Sequence, residues 1–266
     1  MQRKAERELR AVLKYPGSKW RIAEWIVEQI PPHHSYIEPY FGSGAVFFKK
    51  QPSNIETIND LDDDVVNLFK IIRDNPKPLI KAVTNTPYAR MEYENAYAMK
   101  DEKSIDDVEK ARLFLIRCWQ GHGFRTCGEK VGWKNDVQGR ERAYAVQHWY
   151  KLPGWIDEIV DRLKQVQIEH RPAVEVIKRF NYSNCFIYAD PPYVMSTRTR
   201  ENYKHEMSEE NHIELLDALI HHKGKCIISG YDNDLYNDFL RGWTKRQIAN
   251  RDQLSRVRTE TIWLNF

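Results

Sequence analysis

In the segment "SKWRIAEWIVEQI" (18 to 30), Ile22, Ile26 and Ile30 recur every four residues ahead of Pro31 and Pro32. That spacing predicts a helix of about three turns with a hard stop. Downstream the pattern changes. "SYIEPYFGSGAVFF" (35 to 48) and "IETINDLDDDVVNLFKIIR" (55 to 73) each open as a short apolar or β-branched run, break at polar or glycine positions, and resume at helical spacing, as at Val65, Leu68, Phe69 and Ile72. The same alternation returns in "VQIEH" and "PAVEVIKRF", in "CFIYADPPY" and "SEENHIELLDALIHH", and in "KCIISGY" and "NDLYNDFL". Ser208 is a good N-cap, with Glu209 and Glu210 favourably placed in the first turn. Strands alternating with helices predict an α/β fold, a doubly wound and mostly parallel sheet covered on both faces. The C-terminal runs "TKRQIANRDQ" and "TETIWLNF" have no helix between them and predict an antiparallel ribbon at one end of the sheet.

Residues 76 to 165 do not follow this alternation. They contain "IDDVEKARLFLIRCWQ", the glycine-dotted "GHGFRTCGEKVGWKND" and "RERAYAVQHWYKLPGWIDEIVDRLKQ". The pattern is that of a largely helical insertion, 76–165, in an α/β domain formed by 1–75 and 166–266. Its aromatic residues interleave with Arg and Lys, a composition suited to nucleic-acid contact, although Trp119, Trp149 and Trp155 read individually as core.

Composition narrows the function classes only slightly. The 266 residues carry a net charge of +3, too little to demand a polyanionic partner. The distribution is uneven: six Lys or Arg against one acid between Arg241 and Arg258, and a local run of acids at Asp60, Asp62, Asp63 and Asp64. Such unevenness fits one face for phosphates. No apolar stretch reaches membrane-spanning length and the N-terminus does not read as a secretory signal, so the expected location is the cytosol. Cys118, Cys127, Cys185 and Cys226 lack the spacing of a zinc site or a disulfide framework and read as idle thiols.

Candidate chemistry gathers where strands end. Gly42 and Gly44 lie in the first strand-to-helix turn, and Asp60 ends the second strand eighteen residues beyond Gly42, about where an acid meets a ribose diol in nucleoside-binding sheets of this kind. Phe47 replaces the third glycine of a dinucleotide fingerprint, which disfavours a pyrophosphate and favours an adenosine carrying something smaller. Asp190, Pro191, Pro192 and Tyr193 form a rigid turn after an apolar strand. A planar exocyclic amine is a poor nucleophile because its lone pair is delocalised. Hydrogen bonds from its N–H groups to the Asp190 carboxylate and a proline carbonyl would draw the nitrogen toward tetrahedral geometry, with Tyr193 as a flat face for the ring.

"KYPGSK" (14 to 19), "YIEPYFGSGAVFF" (36 to 48), "IND" (58 to 60), "FIYADPPY" (186 to 193) and "CIISGYDND" (226 to 234), in this order, resemble the Dam-type family of DNA adenine-N6 methyltransferases. The resemblance implies the S-adenosylmethionine-dependent methyltransferase sheet with a helical target-recognition insertion, S-adenosylmethionine as methyl donor and no metal. By resemblance, Tyr15, Gly17 and Lys19 are the N-terminal cofactor contacts. Glu38, Pro39, Tyr40, Phe41, Gly42 and Gly44 form the turn around the cofactor, and Asp60 takes the ribose hydroxyls. Asp190, beside the cofactor, would hold the target amine with Pro191, and Tyr193 would stack on an adenine flipped from the duplex. Ser229, Tyr203 and His205 would line the pocket, and Lys14 matches a position that touches DNA in relatives.

Where relatives reading GATC carry patterns close to "FNGLYRVN" and "FNVPFG", this chain has "RCWQGHGFRT" and "GWKND", so the resemblance does not assign GATC. Arg117, Gln120, His122, Arg125 and Lys134 are the candidate base or phosphate contacts of the insertion, and Arg251 and Arg256 those of the basic C-terminal stretch. The expected protein is a site-specific methyltransferase on adenine in duplex DNA, solitary or paired with a restriction endonuclease, a monomer or weak dimer. A methyltransferase acting on RNA or a protein amide, or a silent DNA-binding protein of the same fold, are the alternative readings.

Overall fold

The computed structural model describes residues 9–136, 143–198, 201–251 and 257–266. Seven strands form one sheet in the order β3-β2-β1-β4-β5-β7-β6. The strands β1 (Ser35–Glu38), β2 (Ile55–Asn59), β3 (Val166–Glu169), β4 (Cys185–Ala189) and β5 (Lys225–Gly230) are parallel, and β6 (Thr244–Arg251) and β7 (Val257–Leu264) add an antiparallel ribbon beside β5. The helices are α1 (Ala23–Val27), α2 (Ala45–Lys49), α3 (Asp63–Asp74), α4 (Pro76–Thr84), α5 (Arg90–Ala98), α6 (Asp107–Gln120), α7 (Tyr144–Leu163), α8 (Ala173–Arg179), α9 (Glu209–Ile220) and α10 (Asp234–Phe239).

Alternate residues of each strand feed two cores. Tyr36, Phe186, Tyr188 and Ile227 join one, and Ile37, Ile187, Cys226 and Ile228 the other. Both faces of β1 and β4 are therefore buried, as a parallel sheet requires. From β1 the chain steps outward to β2 and β3, then returns to β4 on the other flank of β1. Strand order reverses between β1 and β4, and the crevice beyond their carboxyl ends is where a ligand fits.

The first helix is shorter than its periodicity predicts. Only Ala23–Val27 is α-helical; tighter bonds flank it, from Ile22 N to Lys19 O (2.9 Å) and from Ile30 N to Val27 O (3.0 Å). Two causes act together. The preceding residues are drawn into the crevice through Lys19, and Pro31 disfavours helical backbone at Ile30. By contrast, α9 is capped as expected: the Ser208 hydroxyl accepts from Asn211 N, and the Asn211 side chain accepts from Ser208 N.

Helices α4 to α7 lie between α3 and β3 in the chain and share a core with the sheet face they pack on. Trp149 donates to Thr86 O (2.8 Å) and Trp119 to Val12 O (2.9 Å), with Trp155 beside Trp119. Trp119 and Trp149 are packing elements, because their apolar rings fill the core while each buried N–H meets a carbonyl, and Trp155 packs partly buried against the same core. Cys118, Cys185 and Cys226 are buried thiols and Cys127 is exposed, all four reduced. Among the described residues no helix is long and apolar enough to cross a membrane.

Candidate active site

A cavity of about 370 Å³ opens beyond the carboxyl ends of β1, β2 and β4. Its walls include Tyr15, Gly17, Lys19, Glu38, Pro39, Tyr40, Phe41, Gly42, Asp60, Asp190, Pro192, Tyr203 and His205. Sequence reading named these residues, from segments nearly two hundred residues apart, but not the rest of the wall, which includes Pro172, Ala173, Val174, Glu175, Met207, Asn211 and Glu214. Gly44 stands behind it: its left-handed backbone (φ 64°) starts α2, and a β-carbon there would collide with the Phe41 ring. Gly17 serves a close approach, since a β-carbon would strike the Tyr203 hydroxyl.

Asp60 ties the two strand-end turns together. Gly42 N donates to Oδ2 (2.7 Å) and Asp62 N to Oδ1 (2.9 Å). Burial pushes the Asp60 carboxyl up to about 6, against the opposing pull of those two N–H groups. Each oxygen keeps lone-pair capacity toward the cavity, the arrangement a vicinal diol needs. Nearby, Tyr15 donates to Asp62 Oδ2 (3.2 Å), and Asp62 also N-caps α3 by accepting from Asp64 N.

Asp190 follows the last residue of β4, and the two prolines end the strand there. Its carboxylate is already engaged. Lys19 Nζ lies 2.9 Å from both oxygens and 2.7 Å from Gly17 O. Ser229 Oγ donates to Asp190 Oδ1 (2.7 Å) and can accept from Tyr188 OH (3.2 Å). Burial opposes the charge on Lys19, but the adjoining Asp190 outweighs it and holds the ammonium protonated well above the ordinary range. Ser229 thus sits behind the carboxylate as its orienting donor. Tyr193 is buried outside the cavity wall: its hydroxyl donates to Glu260 (2.6 Å), Tyr231 meets it edge to face, and the Lys19 ammonium lies 4.7 Å from its ring centroid.

Sequence reading missed Glu260 and the pair Arg198–Glu206. Arg198 donates to Tyr193 O (2.7 Å), and Glu206 accepts from Tyr203 N (3.0 Å), so this ion pair fixes the loop after the turn at residues 190–193. A single carboxylate inside the β-branched run "TETIW" was the available signal for Glu260.

Glu38 ends β1 deep in the cavity, where burial lifts its carboxyl to about 8, while the Tyr36 hydroxyl donating to it (2.6 Å) works the other way. A native pKa above the unfolded value means that the folded chain binds a proton the unfolded chain has released, so this group's contribution to stability declines as pH rises from about 5 to about 8. Glu38→Gln keeps a neutral, hydrogen-bonding side chain and should flatten that decline. Thermal melts across this range will show it as a smaller pH-dependent loss of Tm than in the parent, with the Asp60 contribution of the same sign remaining at the lower end.

Two candidate DNA contacts are corrected. Arg117 is buried, pairs with Asp64 (2.8 Å) and donates to Ala96 O (3.1 Å), bracing α6 against α3 and α5. Gln120 is fully buried, with its Oε1 facing Trp133 Nε1 (3.4 Å). Both lie in the last two turns of α6, where every residue from 113 to 120 is buried, so the helix is enclosed on all sides there. His122 is exposed, Arg125 is half-buried and pairs with Glu129, and Lys134 is half-buried. Lys14 Nζ lies 3.8 Å from the Trp119 ring centroid. Burial first, then the Lys134 charge, lower its pKa to about 8. In the C-terminal ribbon, Lys245 pairs with Asp232 and Arg241 with Asp238, so part of that basic run is neutralised by neighbours. Arg251 ends β6, while Arg256 lies outside the described residues.

Residues 15–257 match the family of D12 class N6 adenine-specific DNA methyltransferases. The chain belongs to that family. Among similar proteins, a type II methyltransferase of Lactococcus lactis subsp. cremoris is 26% identical over 256 residues, 87% of this chain and 86% of that one. A DNA adenine methylase of Escherichia coli (strain K12) is 28% identical over 252 residues, 89% of this chain and 84% of that one. A DNA adenine methylase of Haemophilus influenzae is 34% identical over 198 residues, 69% of this chain and 64% of that one.

Proposed function

We propose that the cavity takes S-adenosylmethionine and that Asp190 presents the N6 amine of an adenine, turned out of duplex DNA, to it. The observation that carries this reading is the charge of the wall. Asp60, Asp62, Glu175, Asp190, Glu206 and Glu214 line the cavity, beside Glu38, whose burial favours the neutral carboxyl, against one ammonium, Lys19, among the described residues. A ligand with a sulfonium and an ammonium centre, one carboxylate and a ribose diol is complementary to that set: Asp60 for the diol, the acids for the cations, Lys19 for the carboxylate. Bound there, the cofactor supplies a methyl group made electrophilic by its sulfonium.

The chain's own residues do the rest. Asp190 accepts from one N–H of the amine and the Pro191 carbonyl from the other, localising the nitrogen lone pair, and Ser229 holds the carboxylate in orientation. Asp190 is also the carboxylate placed to receive the proton that the amine must lose. Tyr193, fixed through Glu260, Tyr231 and Arg198, stands beside the base. Extrusion of the base is needed because an amine inside the duplex stack cannot reach a cavity this deep.

Incubation with unmethylated genomic DNA and S-adenosylmethionine, followed by single-molecule sequencing, tests the whole reading. N6-methyladenine confined to one short motif is expected, and supplies the recognition sequence. Unmodified DNA from a protein that binds the cofactor would overturn it. Comparing cells with and without a neighbouring nuclease gene distinguishes a solitary enzyme from the partner of a restriction endonuclease.

Lys14 and Lys134, on one side of the insertion with His122 and Arg125 nearby in sequence, are assigned to DNA phosphates. Each lost phosphate contact lowers the slope of log affinity against log salt by about 0.9. The double variant Lys14→Gln, Lys134→Gln should therefore reduce the slope by about 2 in filter-binding or anisotropy titrations. An unchanged slope places the backbone on another face.

A further inference from the structure

Lys19 bears on the capture of the target amine because of where its ammonium sits. It is within 2.9 Å of both carboxylate oxygens of Asp190, against the face of Tyr193, and 2.7 Å from Gly17 O. An amine donating an N–H to Asp190 needs one of those oxygens, and a base approaching Tyr193 needs room on that side. The lysine is thus a stand-in for the base: a nitrogen with N–H donors on the catalytic carboxylate, beside the catalytic aromatic ring. It is almost fully buried (3% exposed), so water offers no alternative hydration if it leaves. An ammonium torn from Asp190 without another anion would be a buried unpaired charge, a costly state.

We infer that Lys19 is a positioning residue that couples the two ligands: a carboxylate arriving in the cavity draws the ammonium off Asp190 and thereby frees that oxygen for the adenine amine. This rests on the cofactor reading above and goes beyond it, since it makes capture of the base depend on one functional group of the cofactor. The charge inventory supports it. Lys19 is the one Lys or Arg among the described residues of the wall, whereas carboxylates there are plentiful. A ligand carboxylate entering this cavity has that ammonium as its available cation. Glu260, the buried acceptor of the Tyr193 hydroxyl, supplies a second negative charge near Lys19 and helps keep it protonated while it moves. Coupling of this kind is reciprocal, so the base must in turn strengthen retention of a carboxylate-bearing nucleoside.

The test uses two nucleosides that differ in the amino-acid tail. S-adenosylhomocysteine carries the carboxylate, and 5′-methylthioadenosine fills the nucleoside subsite without it. The DNA probes are a duplex containing the mapped site and the same duplex with purine, which lacks the N6 amine, in place of the target adenine. With the parent protein, saturating S-adenosylhomocysteine should tighten binding of the adenine duplex about 5-fold or more relative to saturating 5′-methylthioadenosine, a coupling of ordinary size. The purine duplex should show no such difference. In Lys19→Met, checked for a parent-like thermal melt, the two nucleosides should become equivalent for the adenine duplex. Asp190→Asn should also remove the difference, because its amide no longer pairs with the ammonium. Equal tightening by both nucleosides in the parent, or a difference that survives in Lys19→Met, would overturn the coupling. Failure of the parent to bind S-adenosylhomocysteine in a calorimetric titration would overturn the cofactor reading itself and the coupling with it.

Discussion

Alanine in place of Asp190 lowers methyl transfer by at least about 10³-fold, the size expected when the group that activates a nucleophile is removed from a preorganised site. The carboxylate is the proposed acceptor of the amine, and the residues around it, Lys19, Ser229 and Tyr188 through Ser229, orient or balance it without replacing it. Cofactor affinity should change only severalfold, because the Asp60 turn, proposed to receive the ribose, lies on neighbouring strands. The two readouts are labelled-methyl incorporation into genomic DNA and calorimetric titration with S-adenosylhomocysteine. Asp190→Ala also leaves the Lys19 ammonium without its partner in a buried place, a destabilising change. Asp190→Asn, which keeps the packing, separates the two effects: it should stay folded and be comparably inactive. Turnover within about tenfold of the parent in either folded variant would remove Asp190 from its assigned role.

The second large effect falls on binding. Asp60→Ala removes the acceptor of two backbone N–H groups, at Gly42 and Asp62, and with it the carboxylate proposed to receive the ribose hydroxyls. Hydrogen bonds to a charged group contribute about 1.5–3 kcal/mol each, so loss of the ribose pair alone should weaken S-adenosylhomocysteine by at least about 100-fold. The stranded N–H groups add to this by loosening the turn that shapes the cavity. Asp60→Asn should fall between parent and Ala, since an amide retains one acceptor oxygen for two backbone donors. Measured affinities in that order, with folding verified by melting, would support the assignment. An Asp60→Ala protein that binds the nucleoside as tightly as the parent would move the ribose elsewhere.

The layout of the α/β sheet and the strand-end part of the cavity wall were legible in the chain. Apolar runs ending at Glu38, Asn59 and Ala189 mark parallel strands because both their faces must be buried, and residues just past such ends fall at one edge of the sheet whatever their separation in sequence. Gly42, Asp60 and Asp190 could thus be placed together before any coordinates. The antiparallel ribbon was legible for a related reason: two β-branched runs without an intervening helix can only fold back on each other. Side-chain partnership was not legible, because periodicity records which face a residue takes and is silent on what meets it there. Arg117 and Gln120 have the chemistry of DNA readers, yet they lie in the fully enclosed last turns of α6 and meet Asp64, Ala96 and Trp133 there. Glu260 resembles any strand carboxylate until β7 brings it to the Tyr193 hydroxyl. The sequence by itself determined the strand ends and the residue types that gather there. Only the tertiary structure decided that Lys19 rests on Asp190, 171 residues away, because that contact depends on how the N-terminal turn folds back over the crevice and on no local pattern.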